Sequence, residues 1–126
     1  MHGYQIRLLV EKMYYIHELI RKGNWEELKQ NVEMGCTVED ILFELNDYPG
    51  ELSECNINAF FDALRLGDFD GFNVDAMAQF WIDGEESDLS MECSFVFYGR
   101  NLKKLHLKEF MFFNEKENKN IYKYSY

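Results

Sequence analysis

Apolar positions along this chain follow two different periods. From residue 6 they recur every three or four residues: Ile6, Leu9, Val10, Met13, Ile16, His17 and Ile20 share one face, which is the spacing of an amphipathic helix. Gly23 predicts its end, and Asn24 a cap for the next helix, with Glu27 placed to complete a capping box. Trp25, Leu28 and Val32 form the second stripe, and Gly35 closes it. Thr37 predicts a third cap, followed by Glu39 and Asp40 where carboxylates favour the positive helix end. Val38, Ile41, Leu42 and Leu45 then face inward, and Tyr48-Pro49-Gly50-Glu51 reads as a turn.

Beyond this turn the period falls to two. Asn58 to Leu66 reads as a first strand, with a helix as the alternative, and residues 67–71 as a loop. Phe72, Val74, Ala76, Ala78, Phe80 and Ile82 alternate without a break, as do Leu89, Met91, Cys93, Phe95 and Phe97. Burying both faces together pairs Val74 with Phe95, Ala76 with Cys93, Ala78 with Met91 and Phe80 with Leu89. It leaves a four-residue loop, Asp83-Gly84-Glu85-Glu86, with Trp81 on the outer face opposite Asp88. A three-residue loop at Gly99-Arg100-Asn101 brings Phe95 to Leu105, Cys93 to Leu107 and Glu92 to Lys108. A bulge at Lys108-Glu109 returns Phe110 and Phe112 to the core face. The tail alternates Tyr122, Tyr124 and Tyr126, as an added edge strand or a frayed end.

The predicted fold is α+β. Three N-terminal helices, about 5–46, pack on one face of a C-terminal antiparallel β-meander of four or more strands, about 58–113, with a tail over 114–126, all in one domain. Hydrophobic residues at 47% and aromatics at 17% support a packed core rather than a disordered chain.

Charge changes the functional picture. A net charge of -10 repels phosphate backbones and anionic lipid, so direct nucleic-acid and membrane binding are not expected, and a basic protein partner is. The same acidity also serves solubility. Cys36, Cys55 and Cys93 are odd in number and include no Cys-x-x-Cys pair, which predicts reduced thiols in the cytoplasm. The first apolar stretch is interrupted by Glu11 and Lys12, unlike a signal peptide, and no run approaches a membrane span.

Candidate chemistry is sparse. Asp68-Phe69-Asp70-Gly71-Phe72-Asn73-Val74-Asp75 resembles a calcium loop only superficially, because its glycine comes early and its twelfth position is Gln79. The three histidines have no metal-ligand or nucleophile–base spacing, so no catalytic residue, metal or cofactor is expected. The acidic loop is the most distinctive feature. Trp81, Asp83, Glu85, Glu86 and Asp88, with Met77 and Glu92 beside them on the outer sheet face, have the composition of a partner-binding patch. Read structurally, the same loop is a hairpin in which Ser87 or Asp88 bonds nearby amides.

The order of a helix, Gly-Asn-Trp-Glu-Glu-Leu, Thr-Val-Glu-Asp-Ile and then Phe80-Trp81-Ile82-Asp83-Gly84-Glu85-Glu86-Ser87-Asp88-Leu89-Ser90-Met91 resembles an uncharacterised family of small bacterial α+β domains. Ser87-Asp88-Leu89 carries most of that likeness, and the chain departs from it at Leu105–Phe110. The resemblance implies a fold and no activity. The helix-then-sheet order is also loosely similar to cystatin/NTF2-like folds and to immunity proteins of bacterial toxin systems. The leading expectation is a non-enzymatic acidic binding protein, in the form of an immunity protein that neutralises a cognate toxin. Two alternatives remain open: a small-molecule-binding or enzymatic NTF2-like domain, and an acidic nucleic-acid mimic that inhibits a DNA- or RNA-handling protein.

Overall fold

A computed structural model describes residues 1–111 and the backbone of Phe112 and Tyr124–Ser125, so the expected inward turn of the Phe112 side chain lies outside the described residues. Helix α1 spans Gly3–Lys22 and buries Leu9, Val10, Met13, Ile16, His17, Leu19 and Ile20, the expected face. Helix α2 spans Trp25–Asn31. The capping box expected at Asn24 and Glu27 does not form, since Asn24 makes no side-chain cap bond. Its N–H, which Glu27 would have to accept from, donates instead to Leu19 O at 2.8 Å across the tight turn. Gly35 does not end this helix. It follows a two-residue strand, β1 (Glu33–Met34), and donates its N–H to Leu107 O at 2.7 Å.

Helix α3, Val38–Asp47, starts with the predicted Thr37 cap, which Asp40 makes reciprocal. The Asp40 N–H donates to Thr37 Oγ1 and the Thr37 N–H to Asp40 Oδ2, both at 3.0 Å. Ile41 is buried, but Leu42 is exposed, contrary to expectation. Ile41 and Leu45, four apart, define the inward line, and Leu42 lies about 100° round the helix from it. After strand β2, Leu52–Ser53, the expected strand from Asn58 is instead helix α4, Ile57–Ala63. Asn56 Oδ1 accepts the Ala59 N–H at 2.8 Å and nucleates it, while Phe60 and Leu64, again four apart, go into the core. Only Arg65–Leu66 is strand here, β3.

The long strands are β4 (Asn73–Ile82), β5 (Glu85–Tyr98) and β6 (Asn101–Phe112). With β7, Tyr124–Ser125, they complete a seven-stranded sheet in the order β1-β6-β5-β4-β3-β7, with β2 also beside β4. All pairings are antiparallel except β1 with β6. The fold is therefore α+β, with a fourth helix and short accessory strands that the predicted three-helix meander lacks. The tail reading as an edge strand holds for Tyr124–Ser125, which pairs with β3, while Phe113, Tyr122 and Tyr126 lie outside the described residues.

The central register follows from alternation, as predicted. Val74 faces Phe95, Ala76 faces Cys93, Ala78 faces Met91, Phe95 faces Leu105 and Cys93 faces Leu107. All of these are buried in one cluster with the inward faces of the helices except Leu105, which is partly buried against it. Both hairpin ends differ from expectation. Ile82 pairs with Glu85, which leaves the two-residue loop Asp83–Gly84, and Tyr98 pairs with Asn101, which leaves Gly99–Arg100. The slack is absorbed by bulges at Lys103 and opposite Phe80, so the expected Phe80–Leu89 pair does not form. The bulge predicted at Lys108-Glu109 is present, but it sets Glu92 opposite Glu109 rather than Lys108, and it returns Phe110 to the core. Phe72, expected inward, precedes β4 and is 54% exposed.

A candidate acidic interface at the β4–β5 turn

Asp83 and Gly84 both have positive φ, 51° and 85°, as a two-residue type I′ turn requires. Asp tolerates that conformation better than most residues with a side chain. The turn is clamped from outside by the segment after α3. The Asp83 N–H donates to Glu51 O at 2.9 Å, the Glu51 N–H to Asp83 Oδ1 at 3.1 Å, and the Gly84 N–H to Ser53 Oγ at 2.8 Å. Gly50 passes so close that an added Cβ would lie 2.6 Å from Asp83 Oδ2, on a backbone whose φ of 117° already favours glycine. Ser53 lies opposite Trp81 and Leu52 opposite Ile82.

This clamp sorts the predicted site residues. Asp83, Glu85, Glu86 and Asp88 are all exposed. Trp81 is half-buried against the core and faces Glu86, not Asp88, because the shorter turn shifts the local pairing. Met77, expected to face solvent, is 0% exposed. It stands at the centre of the sheet between Arg65 on β3 and Glu92 on β5, whose long side chains flank it. Glu92 is mostly buried and lies 3.7 Å from Lys108 Nζ, which also reaches Asp75 at 3.5 Å. Met77 and Glu92 therefore leave the exposed patch. Glu51 joins it, and no local sequence signal ties a residue in a Pro-Gly turn to a hairpin more than thirty positions away.

Ser87 shows why both readings of the acidic loop were reasonable. It is buried at the bulge, donating its hydroxyl to Phe80 O at 2.7 Å and accepting the Leu89 N–H at 3.2 Å. Gln79 Nε2 donates to Ser87 O at 2.9 Å. Ser87 thus holds the strand while its neighbours Glu86 and Asp88 point out. Glu51, Glu85, Glu86 and Asp88 make no ion pair among the described residues.

The cysteine thiols and His17 are shielded by burial. Burial pushes the Cys55 thiol up to about 11, and raises Cys36 and Cys93 as well, so the thiolate form is suppressed at neutral pH. His17 is 0% exposed and stacks on Phe80 at 4.4 Å, with Phe60 edge-on at 5.2 Å. Its Nδ1 is 3.4 Å from Glu18 Oε2, and its Nε2 has no hydrogen-bond partner. Burial lowers its pKa to about 4 although Glu18 pulls it back up, so the ring is neutral at pH 7. Among the described residues no three His, Cys, Asp or Glu side chains are grouped to hold a metal ion. None of the described helices is long and apolar enough to cross a membrane.

Comparison with family models, with curated proteins and with solved structures returns no match to this chain.

Proposed function

We propose that this protein is a non-enzymatic binding protein that engages a basic protein through the β4–β5 turn, in the manner of an immunity protein neutralising a basic toxin. The observation that carries this reading is the exposed carboxylate rim of Glu51, Asp83, Glu85, Glu86 and Asp88, carried on a turn whose backbone and Asp83 carboxylate are held by the clamp at Gly50–Ser53. Holding the turn before contact lowers the ordering cost of binding. A net charge of -10 adds a field that steers a basic partner toward the rim. Trp81 supplies an aromatic edge beside these charges and is anchored in the core behind them.

Affinity capture from the native host, followed by binding kinetics, tests the proposal. Replacing Glu85, Glu86 and Asp88 together with Ala should slow association roughly tenfold and flatten its salt dependence, with little change in dissociation. A captured partner that binds this variant and the wild type equally well would remove the rim from the interface.

A further inference from the structure

Four cations of this acidic chain, Lys12, Arg100, Lys103 and Lys104, lie at the other end of the sheet. Lys12 of α1 and Lys103 and Lys104 of β6 line one groove of about 260 Å³, together with Tyr15, Asn31 and Leu102, and the carboxylate of Glu27 bonds Tyr15 beside it. Lys104 is held 3.1 Å from Glu33 of β1, whereas Lys12 and Lys103 make no ion pair among the described residues. The groove follows the free edge of β6. Strand β1 pairs only with His106 and Leu107, so Asn101–Leu105 have no strand on that side among the described residues.

The same end of the sheet carries exposed aromatics. Gln5 Nε2 donates to Gly99 O at 2.9 Å, which pins the start of α1 to the turn that begins β6. Arg100 lies 5.0 Å over the Tyr4 ring. Beside this turn Tyr98 is 58% exposed and Phe72 54% exposed, with their rings edge-to-face at 5.9 Å. Phe72 is rigidly placed: its N–H donates to Asp70 Oδ1 at 2.9 Å and its carbonyl accepts the Phe97 N–H at 2.7 Å. Exposed, fixed aromatics next to an arginine are the composition of an interface core.

We propose that this pole is a second docking surface, for an acidic extended segment of a partner protein. Carboxylates of that segment lie against Lys12, Lys103 and Lys104 along the β6 edge, and an apolar side chain rests on Tyr98 and Phe72. The acidic rim does not forbid this. The ten residues of β4 separate the two ends by roughly 30 Å, several times the screening length of about 8 Å in physiological salt. Lysines also guard edge strands against pairing, a role that needs no ligand, and the test separates the two.

The experiment titrates the full chain with a labelled synthetic peptide in which Asp and Glu alternate with Leu and Phe, and with its Lys-substituted counterpart. The acidic peptide should bind saturably and shift the amide resonances of Tyr98, Lys103 and Lys104, and the basic one should not. Replacing Lys12, Lys103 and Lys104 together with Gln should weaken binding at least roughly tenfold, and Tyr98→Ser should weaken it less, with both variants melting like wild type. The Glu85/Glu86/Asp88 variant should bind this peptide normally, which keeps the test independent of the rim. Absence of saturable binding, or binding unaffected by the triple Gln change, overturns the proposal. So does a triple Gln variant that self-associates yet keeps its peptide affinity, or a single-stranded oligonucleotide that takes the groove in preference to the peptide.

Discussion

The two ends of the long sheet are both closed by two-residue turns, yet they are built differently. At Asp83–Gly84 both residues have positive φ, and the turn is held by three hydrogen bonds to a segment that is remote in sequence. At Gly99–Arg100 only the glycine has positive φ, at 59°, as a type II′ turn requires, and a single hydrogen bond from Gln5 ties it to α1. One end gathers carboxylates, the other cations and exposed aromatics. A rigid sheet keeps these surfaces apart, so an acidic chain can carry a cationic pole without neutralising either. The conformational demand of each turn selects Asp-Gly or Gly-Arg, and the charge of each end then follows from which elements dock there.

The comparison breaks entirely if the shared core fails. Phe95→Asp places an unpaired charge where the ring is 0% exposed, between Val74 and Leu105, and should cost at least about 4 kcal/mol. A variant that gives a cooperative melt and a native circular dichroism spectrum would refute the register.

Acid should loosen the rim end first. His17 stacks on Phe80 and Phe60, close to Glu18, Arg21 and Glu54, whose neighbour Cys55 accepts the Tyr14 hydroxyl at 2.7 Å. The folded pKa of His17 is lowered from 6.5 to about 4, so the unfolded chain takes up the proton first. Stability from this group is therefore complete above pH 6.5 and declines as pH falls toward 4, by about 3 kcal/mol in total. His17→Phe should flatten urea midpoints between pH 6.5 and 4. Any loss that remains at lower pH belongs to carboxylates such as Glu18, which Arg21 holds below its usual range.

Smaller changes probe the clamp. Asp83→Ala removes the bond to the Glu51 amide and leaves a less tolerant residue at positive φ, and should cost about 1–2 kcal/mol. Hydrogen exchange should then quicken at Glu51 and Gly84 but not at Tyr98 or Asn101, and equal quickening at both ends would show that they are not independent. Smallest of all, replacing Glu85, Glu86 and Asp88 with Ala should shift thermal stability by no more than about 0.5 kcal/mol, because these side chains hold nothing in place. A larger loss in a melting curve would assign them a structural role.

How much of this was legible depends on the range of the interaction concerned. The pairs Val74–Phe95, Ala76–Cys93 and Ala78–Met91 follow from parity, because a one-residue slip would turn every apolar side chain to the wrong face. The Lys108 bulge is visible because alternation breaks there. The Asp-Gly turn signal was present, but a four-residue loop satisfied the same central register, and only the bulge at Ser87 distinguishes the two. Strand and helix both fit the segment from Asn58, and helix α4 wins because its burial depends on Phe60 meeting Tyr14 and His17 of α1. The basic run from Arg100 to Lys108 was a usable signal for the cationic pole, standing out in a chain of net charge -10.

Sequence alone determined the inward face of α1, the inward faces of β4 and β5, and the acidity of the β4–β5 turn, since each depends on periodicity or composition within one segment. Tertiary structure decided the rest. It buried Met77, brought Glu51 to the rim and set Lys12 beside Lys103 and Lys104. Each of these depends on which remote segment docks at a given place. The free energy of that docking is shared across the whole core, so no local pattern records it.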